Sequence, residues 1–327
     1  MSTSTGIFTA QDAQSLPARE RVGLAVARLD TATLVQTFVA AEAAGVRQVW
    51  STQSPLQADT LTAFAAAAVQ TRTVRLGTAV VPTYPRHPLT MAAQALACHD
   101  LAPGRLRLGI GSSHRPVIED VYGLPMHRPL DHVREYVQVV RAALWEGRVD
   151  HQGKYFQVRA ALPRTAHVPI LTSVLRKHAF EVAGEIADGA LSWLCPLPYL
   201  LQTGLPALRA SARAHGRPAP PLIAHVLVAQ SDDRLAVIQA TRAQIQGYGR
   251  LPFYASMFAD AGHPLGPDAT MSDALVASLV VSGRASAIAE RLQELLASGL
   301  DELLVMAVPL QQAAQEMQQL MQLLGQL

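Results

Sequence analysis

The 327-residue chain predicts an α/β fold, a TIM-type (β/α)8 barrel with an insertion after strand seven, and three observations carry that expectation. Eight short apolar runs of strand type recur along the chain with helix-period patterns between them, which points to a closed parallel barrel rather than an open sheet. The length suits a barrel of about 250 residues with added segments, so residues 1–327 read as one domain. Half of the residues are hydrophobic and only 16% are charged, which supports one large buried core and argues against a disordered chain.

The first four strand candidates are residues 22–27, 48–52, 74–81 and 106–111. Asp30 reads as the cap of a first helix over about 31–44 that Gly45 ends. The second and third helices, about 59–70 and 88–99, are rich in alanine and poor in charge. Such faces favour close helix packing, either inside the monomer or across a homodimer interface. A fourth helix over about 130–145 is followed by VDHQGKYFQVR, where Gln152-Gly153 between strand-like arms predicts a small hairpin on the face away from catalysis.

The fifth strand, 169–174, runs into Arg176-Lys177-His178, which open a helix with Phe180, Val182, Ala183 and Ile186 on one side. Cations at a helix N-terminus are locally unfavourable by a few tenths to about 1 kcal/mol unless an anion joins them, and phosphate is the natural anion. The competing reading is a solvated basic helix start. Asp188-Gly189 turns the chain into the sixth strand, 190–194; 222–229 and 302–308 complete the set. After strand seven, residues 247–283 interrupt the barrel as an insertion on the reactive face. Tyr248, Phe253, Tyr254, Met257 and Phe258 either wall an apolar pocket there or pack as the insertion's own core.

Several function classes are excluded by what the totals and the strand ends lack. A net charge of +2 argues against a nucleic-acid partner. No run reaches the roughly 18 apolar residues that span a bilayer, and MSTSTGIFTAQDAQSLPARE has no apolar export segment, so the expectation is a cytoplasmic protein without a membrane contact. Cys98 and Cys195 are too few for a disulfide framework and read as buried fillers. The only lysines are Lys154 and Lys177, which disfavours Schiff-base chemistry.

Side chains just past the carboxyl ends of barrel strands converge on one mouth. Here they are Thr52 and Gln53; Pro82, Thr83, Tyr84, Arg86 and His87; Ser112, Ser113, His114 and Arg115; Thr172 and Ser173; and Trp193. Carboxylates are nearly absent among them, which counts against two-carboxylate glycoside hydrolysis and magnesium-enolate chemistry. No metal site is expected: His132 with Glu135 at helical spacing reads as a solvated helix face, and His225 as a satisfied interior histidine. Gly109 and Gly111 indicate close backbone approach, with room for a flat ligand or a phosphate chain. Neutral hydrogen-bonding groups, Tyr84, Trp193 and a basic turn suit a planar redox cofactor that carries the difficult chemistry itself.

VWSTQSPLQADTLTAFAAAA, LGTAVVPTYPRHPLTMAAQA, GRLRLGIGSSH with YGLPMHRPLDHVREYV, and AGEIADGALSW together resemble the bacterial luciferase-like oxidoreductases, and among them most of all the branch that uses the 5-deazaflavin coenzyme F420. The resemblance runs from about Val22 to about Pro309. It implies a homodimer of TIM-type barrels with the cofactor at the carboxyl ends of the strands. It also implies a non-proline cis peptide between Ala79 and Val80 behind the ring, Gln53 facing the ring, and Ser112, Ser113 and His114 contacting the ribityl chain or substrate. The cofactor phosphate falls at the turn Ser173, Val174, Leu175, Arg176 and Lys177.

Two departures stand out. Many relatives have Gly-Pro or Gly-Gly in that turn, where this chain has Val174-Leu175-Arg176-Lys177, and bulky residues restrict backbone approach to a phosphate. Ser51-Thr52-Gln53 replaces an acidic residue and a histidine of many deazaflavin enzymes, which leaves His114 or Tyr84 as proton donor. The implied activity is hydride transfer between reduced F420 and a small organic substrate. A monooxygenase using reduced FMN is the alternative, and a non-catalytic cofactor-binding relative a third reading of a different class.

Overall fold

The structure is a computed structural model that describes residues 8–327; the first seven residues of the stretch expected to lack an export segment lie outside it. Eight parallel strands close into a barrel: β1 (Val22–Val26), β2 (Gln48–Ser51), β3 (Arg75–Thr78), β4 (Leu106–Gly111), β5 (Ile170–Val174), β6 (Gly189–Ser192), β7 (Leu222–Ala229) and β8 (Glu302–Ala307). The circle closes where Gly23 of β1 pairs with Leu304 of β8 and Ile223 of β7 pairs with Glu302. Val81–Pro82 and Val280–Ser282 are short strands added to β4 and β7. Among the described residues no helix is long and apolar enough to cross a membrane.

The first helix starts where the sequence placed its cap, and the second, capped in the same way, starts one residue later than expected. Asp30 accepts the Thr33 N–H at 3.0 Å to begin the helix Thr31–Ala43, and Asp59 accepts the Thr62 N–H at 2.8 Å to begin Thr60–Gln70. After Pro129–Arg141 the hairpin forms as expected, with Arg148–Gln152 antiparallel to Gln157–Ala161. Its position differs from the expectation. The arms run back along Pro129–Arg141, where the Glu135 carboxylate accepts the N–H groups of Lys154, Tyr155 and Phe156, so the tip ends beside His132, near the start of that helix. One half-buried acid on that helix therefore brings the hairpin back toward the mouth side.

The interior of the barrel is built around the indole of Trp50. A Cβ at Gly77 would lie 2.1 Å from Trp50 Cε3, and one at Gly23 would lie 2.9 Å from its Nε1. With Ala25, Leu171, Leu191, Ile223 and Leu304, the indole forms a buried apolar plate across the barrel. Below it, at the N-terminal end, Arg107 makes a bidentate pair with Glu302 at 2.7 and 2.8 Å, and Gln48 bonds to both partners and to the Glu20 carbonyl. The Arg107 guanidinium also lies 5.0 Å from the Trp50 ring centroid. Arg107 holds the Glu302 carboxyl below its usual range against the opposing effect of burial.

A buried pair of this kind is strongly destabilising when one partner is removed, because the other charge remains uncompensated. Arg107→Met should lower unfolding stability by about 3–5 kcal/mol in urea titration, and the double variant Arg107→Met/Glu302→Leu should recover much of that loss. A single-variant cost under about 1 kcal/mol would show that the pair does not carry the barrel floor.

Candidate functional site

Between β3 and β4 the barrel wall bulges as it reaches the mouth. β3 ends at Thr78, the Ala79–Val80 peptide is cis, as the resemblance implies, and pairing with β4 resumes only at Val81 and Ile110. Across the gap the Thr78 hydroxyl takes the place of the missing ladder bonds, accepting from Gly109 N–H at 2.8 Å and donating to Gly109 C=O at 2.7 Å. A Cβ on Gly109 would sit 1.9 Å from the Thr78 carbonyl oxygen, so this position takes glycine for the close approach that the sequence indicated.

Above the Trp50 plate the mouth is open. Ser173 lies within β5 between buried neighbours, yet it is exposed. Beside it, a Cβ at Gly111 would come within 2.2 Å of the Ser173 hydroxyl and 3.1 Å of Val80 Cγ2. Ala79, Val80, Ser112, Ser113, Trp193 and Met306 are half-buried around the same level. Ser113 adopts φ 61°, in the left-handed region, which turns the chain sharply after β4 and carries His114 across to the insertion. There His114 meets Tyr248 and Tyr254 edge-on, at 6.0 and 5.8 Å between ring centroids. Burial lowers its pKa below 6.5, so at neutral pH the ring is predominantly uncharged.

The insertion contains the helices Pro252–Asp260 and Asp273–Leu279 and ends in the short strand on β7. Of the two expectations for its aromatics and Met257, packing as a core holds for three of them. Tyr254, Met257 and Phe258 are buried as its core, Tyr248 faces His114 and Trp193, and Phe253 is exposed.

Other candidates have different work. Gln53 turns away from the mouth: its Oε1 accepts Thr60 N–H at 2.7 Å and its Nε2 donates to the Ser54 carbonyl, which holds the loop leading into Thr60–Gln70. Tyr84 stacks on His132 at 3.9 Å between centroids and donates to the His127 carbonyl at 3.0 Å, with its pKa pushed up to about 12 by burial. It belongs to an outer aromatic group with Tyr136, Tyr155 and Phe156 rather than to the group around His114. His132 is not on a solvated face. It is buried in that stack, and desolvation lowers its pKa to about 4.

The basic turn after β5 is partly neutralised from within. Arg176 Nε lies 2.9 Å from Asp260 of the insertion, while Lys177 and His178 both reach Glu181. Asp260 is 84 residues away in sequence, and nothing local announces the pairing. Lys177, and then His178, lower the Glu181 pKa through hydrogen bonds. Arg176 and Lys177 remain largely exposed, and pairs of this kind are worth about 0–1 kcal/mol, so an incoming dianion can compete for them. The Val174 side chain is buried in the core, so only its backbone is available to a ligand.

A family model described as luciferase-like monooxygenase matches residues 4–302. The chain belongs to the luciferase-like monooxygenase family. An uncharacterised protein of Mycobacterium tuberculosis is 29% identical over 213 residues, covering 60% of this chain and 63% of its own length. The 5,10-methylenetetrahydromethanopterin reductase of Methanolobus tindarius is 27% identical over 153 residues, 46% of this chain and 47% of its own. The matched stretch therefore spans less than two thirds of these relatives. Among solved structures, the coenzyme F420-dependent tetrahydromethanopterin reductase of Methanopyrus kandleri superposes with a TM-score of 0.75 at 19% identity, over 94% of this chain and 97% of that one. A type II Baeyer–Villiger monooxygenase of Pseudomonas putida in complex with FMN gives 0.72 at 17% identity, over 94% and 97%. At such identities the likeness establishes the barrel, and both redox classes share it.

His225, in β7, also lies on the mouth side, with its ring 4.9 Å from Trp193. Burial lowers its pKa to about 4. For His132 and His225 the folded pKa lies below the unfolded value near 6.5, so the unfolded chain binds more protons below that pH. Their stability contribution is complete above pH 6.5 and declines as pH falls toward 4. Urea midpoints of the parent protein should fall across that window, with a flatter profile for His132→Phe. Parallel profiles for the two proteins would refute the buried neutral state of His132.

Proposed function

We propose that the protein is an oxidoreductase that seats a flavin-type cofactor at the barrel mouth, with the deazaflavin F420 preferred, and transfers a hydride between it and a small organic substrate. The observation that carries this reading is the open shelf at Ser173 and Gly111, bounded below by the Trp50 plate and on one side by Ala79–Val80. Glycine at 111 admits the Ser173 hydroxyl, which lies 2.2 Å from where a Cβ would stand, and the exposed Ser173 presents it to a flat ring. The exposed cations Arg176 and Lys177 at the start of the helix Lys177–Ile186 suit its anionic tail. The residues present fit such a group: Ser112, Ser113 and Ser173 offer neutral hydrogen bonds to its side chain, and the cofactor itself would supply the two-electron chemistry.

The protein's part is then positioning, exclusion of water and proton handling. His114, neutral and half-buried beside Tyr248, is the proton-handling group nearest the shelf; Tyr84 is turned outward and Gln53 is committed to its loop. A homodimer through the alanine-rich helices Thr60–Gln70 and Pro88–Leu101 is part of the same reading. The family's described class favours a second reading, an FMN-dependent monooxygenase on the same shelf.

Fluorescence titration of the purified protein with F420 and with FMN separates these readings. F420 should bind at micromolar concentration or below, and Arg176→Ala should weaken it by roughly tenfold through loss of one charge-assisted hydrogen bond. Tight FMN binding without F420 binding would establish the monooxygenase reading instead, and binding of neither would favour a non-catalytic relative.

A further inference from the structure

The barrel wall forks between β6 and β7. The ladder joining them ends at Ser192 and Ala224. Three residues further along, β7 has a new neighbour, the strand Val280–Ser282, paired to Leu227–Ala229. The short stretch of β7 edge between these ladders, His225 and Val226, has β8 on one side and, among the described residues, no strand on the other. The chain leaving β6 diverges through Trp193 to Cys195, and the space that opens is a cleft of about 550 Å³, bounded by that segment on one side and by Ala277 to Gly283 on the other. The volume lies within the ordinary range of small-molecule sites.

His225 spans the fork. Its Nδ1 lies 2.5 Å from the Ser192 carbonyl oxygen, and since a carbonyl can only accept, Nδ1 carries the proton. In the neutral ring that burial enforces, Nε2 is therefore a lone-pair acceptor. No hydrogen bond to Nε2 is made by the described residues, and His225, half-buried, is among the residues that line the cleft. Leu197, Leu200, Val237 and Ile238 provide apolar walls, while the exposed Asp232, Arg234 and Arg291 also line the cleft.

We propose that the fork cleft is a binding site for a neutral small molecule carrying a hydroxyl group on an apolar body, with the hydroxyl donating to His225 Nε2. A molecule without a donor would leave a buried acceptor unpaired, at a cost of about 1–3 kcal/mol. A carboxylate has only lone pairs to present to that acceptor and gains nothing from Nε2. The inference rests on the redox reading above for its setting, because Trp193 and His225 border both the cleft and the mouth, so a hydroxyl held there lies toward the reactive side.

The test uses the full chain with isotope-labelled histidine, the His225 signal being identified by its loss in His225→Phe. Cyclohexanol, its methyl ether and cyclohexanecarboxylate are titrated in turn. Cyclohexanol should shift the Nε2 resonance saturably and bind at least about fivefold more tightly than the ether or the acid, the factor expected for one net hydrogen bond. Val281→Trp and, independently, Leu197→Trp fill the cleft from partly exposed positions and should abolish the shift. An unchanged shift in both folded variants, or no saturable shift up to the solubility of the alcohol, overturns the proposal. Parallel titration with F420 and FMN keeps the two readings apart: cofactor binding without the alcohol shift removes the cleft site alone, whereas the alcohol shift without cofactor binding keeps the site and removes its redox setting.

Discussion

The packing of one indole into a closed ring of strands is the constraint on which the rest of this structure depends. Trp50 fills the barrel only because Gly23 and Gly77 have no side chains where its ring lies, and the apolar plate it forms sets the height at which the interior stops being solid protein. Below the plate the strands are closed by Arg107, Glu302 and Gln48, each satisfied by the others. Above it Gly111 and Ser173 leave a shelf. A larger plate would raise the floor into the mouth. A smaller one would leave a void at a cost that grows with its volume.

Charge follows the same vertical division. The formal charges inside the barrel are concentrated at the lower end, where geometry pairs them, while the groups near the mouth are serines, amides, aromatic rings and histidines that burial keeps neutral. A site of this kind contributes little acid–base power of its own and much positional definition. The exposed cations sit at the start of Lys177–Ile186 and share their charge with Asp260 and Glu181 until a stronger anion competes.

Much of this architecture was legible in the residue order. The bounds of β4 and β7, the cap Asp30, the hairpin and the interruption after strand seven follow from local pattern, because alternation, capping and turn chemistry act over a few residues. The cis peptide at Ala79–Val80 was legible only by resemblance. His132 was misread as a solvated residue because its helical spacing reports a face and not what covers that face: the Glu135-anchored hairpin returns to bury it. Gln53 and Tyr84 follow the right strands, yet their side chains turn elsewhere, since the strand end sets a Cα position and the neighbouring loops decide the rotamer.

By itself the sequence determined the barrel, its order of elements and the neutral, carboxylate-poor character of the mouth, because these depend on composition and short-range periodicity. Only the tertiary structure decided that Arg176 meets Asp260, that Trp50 needs two distant glycines, and that β6 and β7 part at His225. Each of these is a contact between segments far apart in the chain, and its energy exists only once the barrel has closed and brought the partners within a few ångströms.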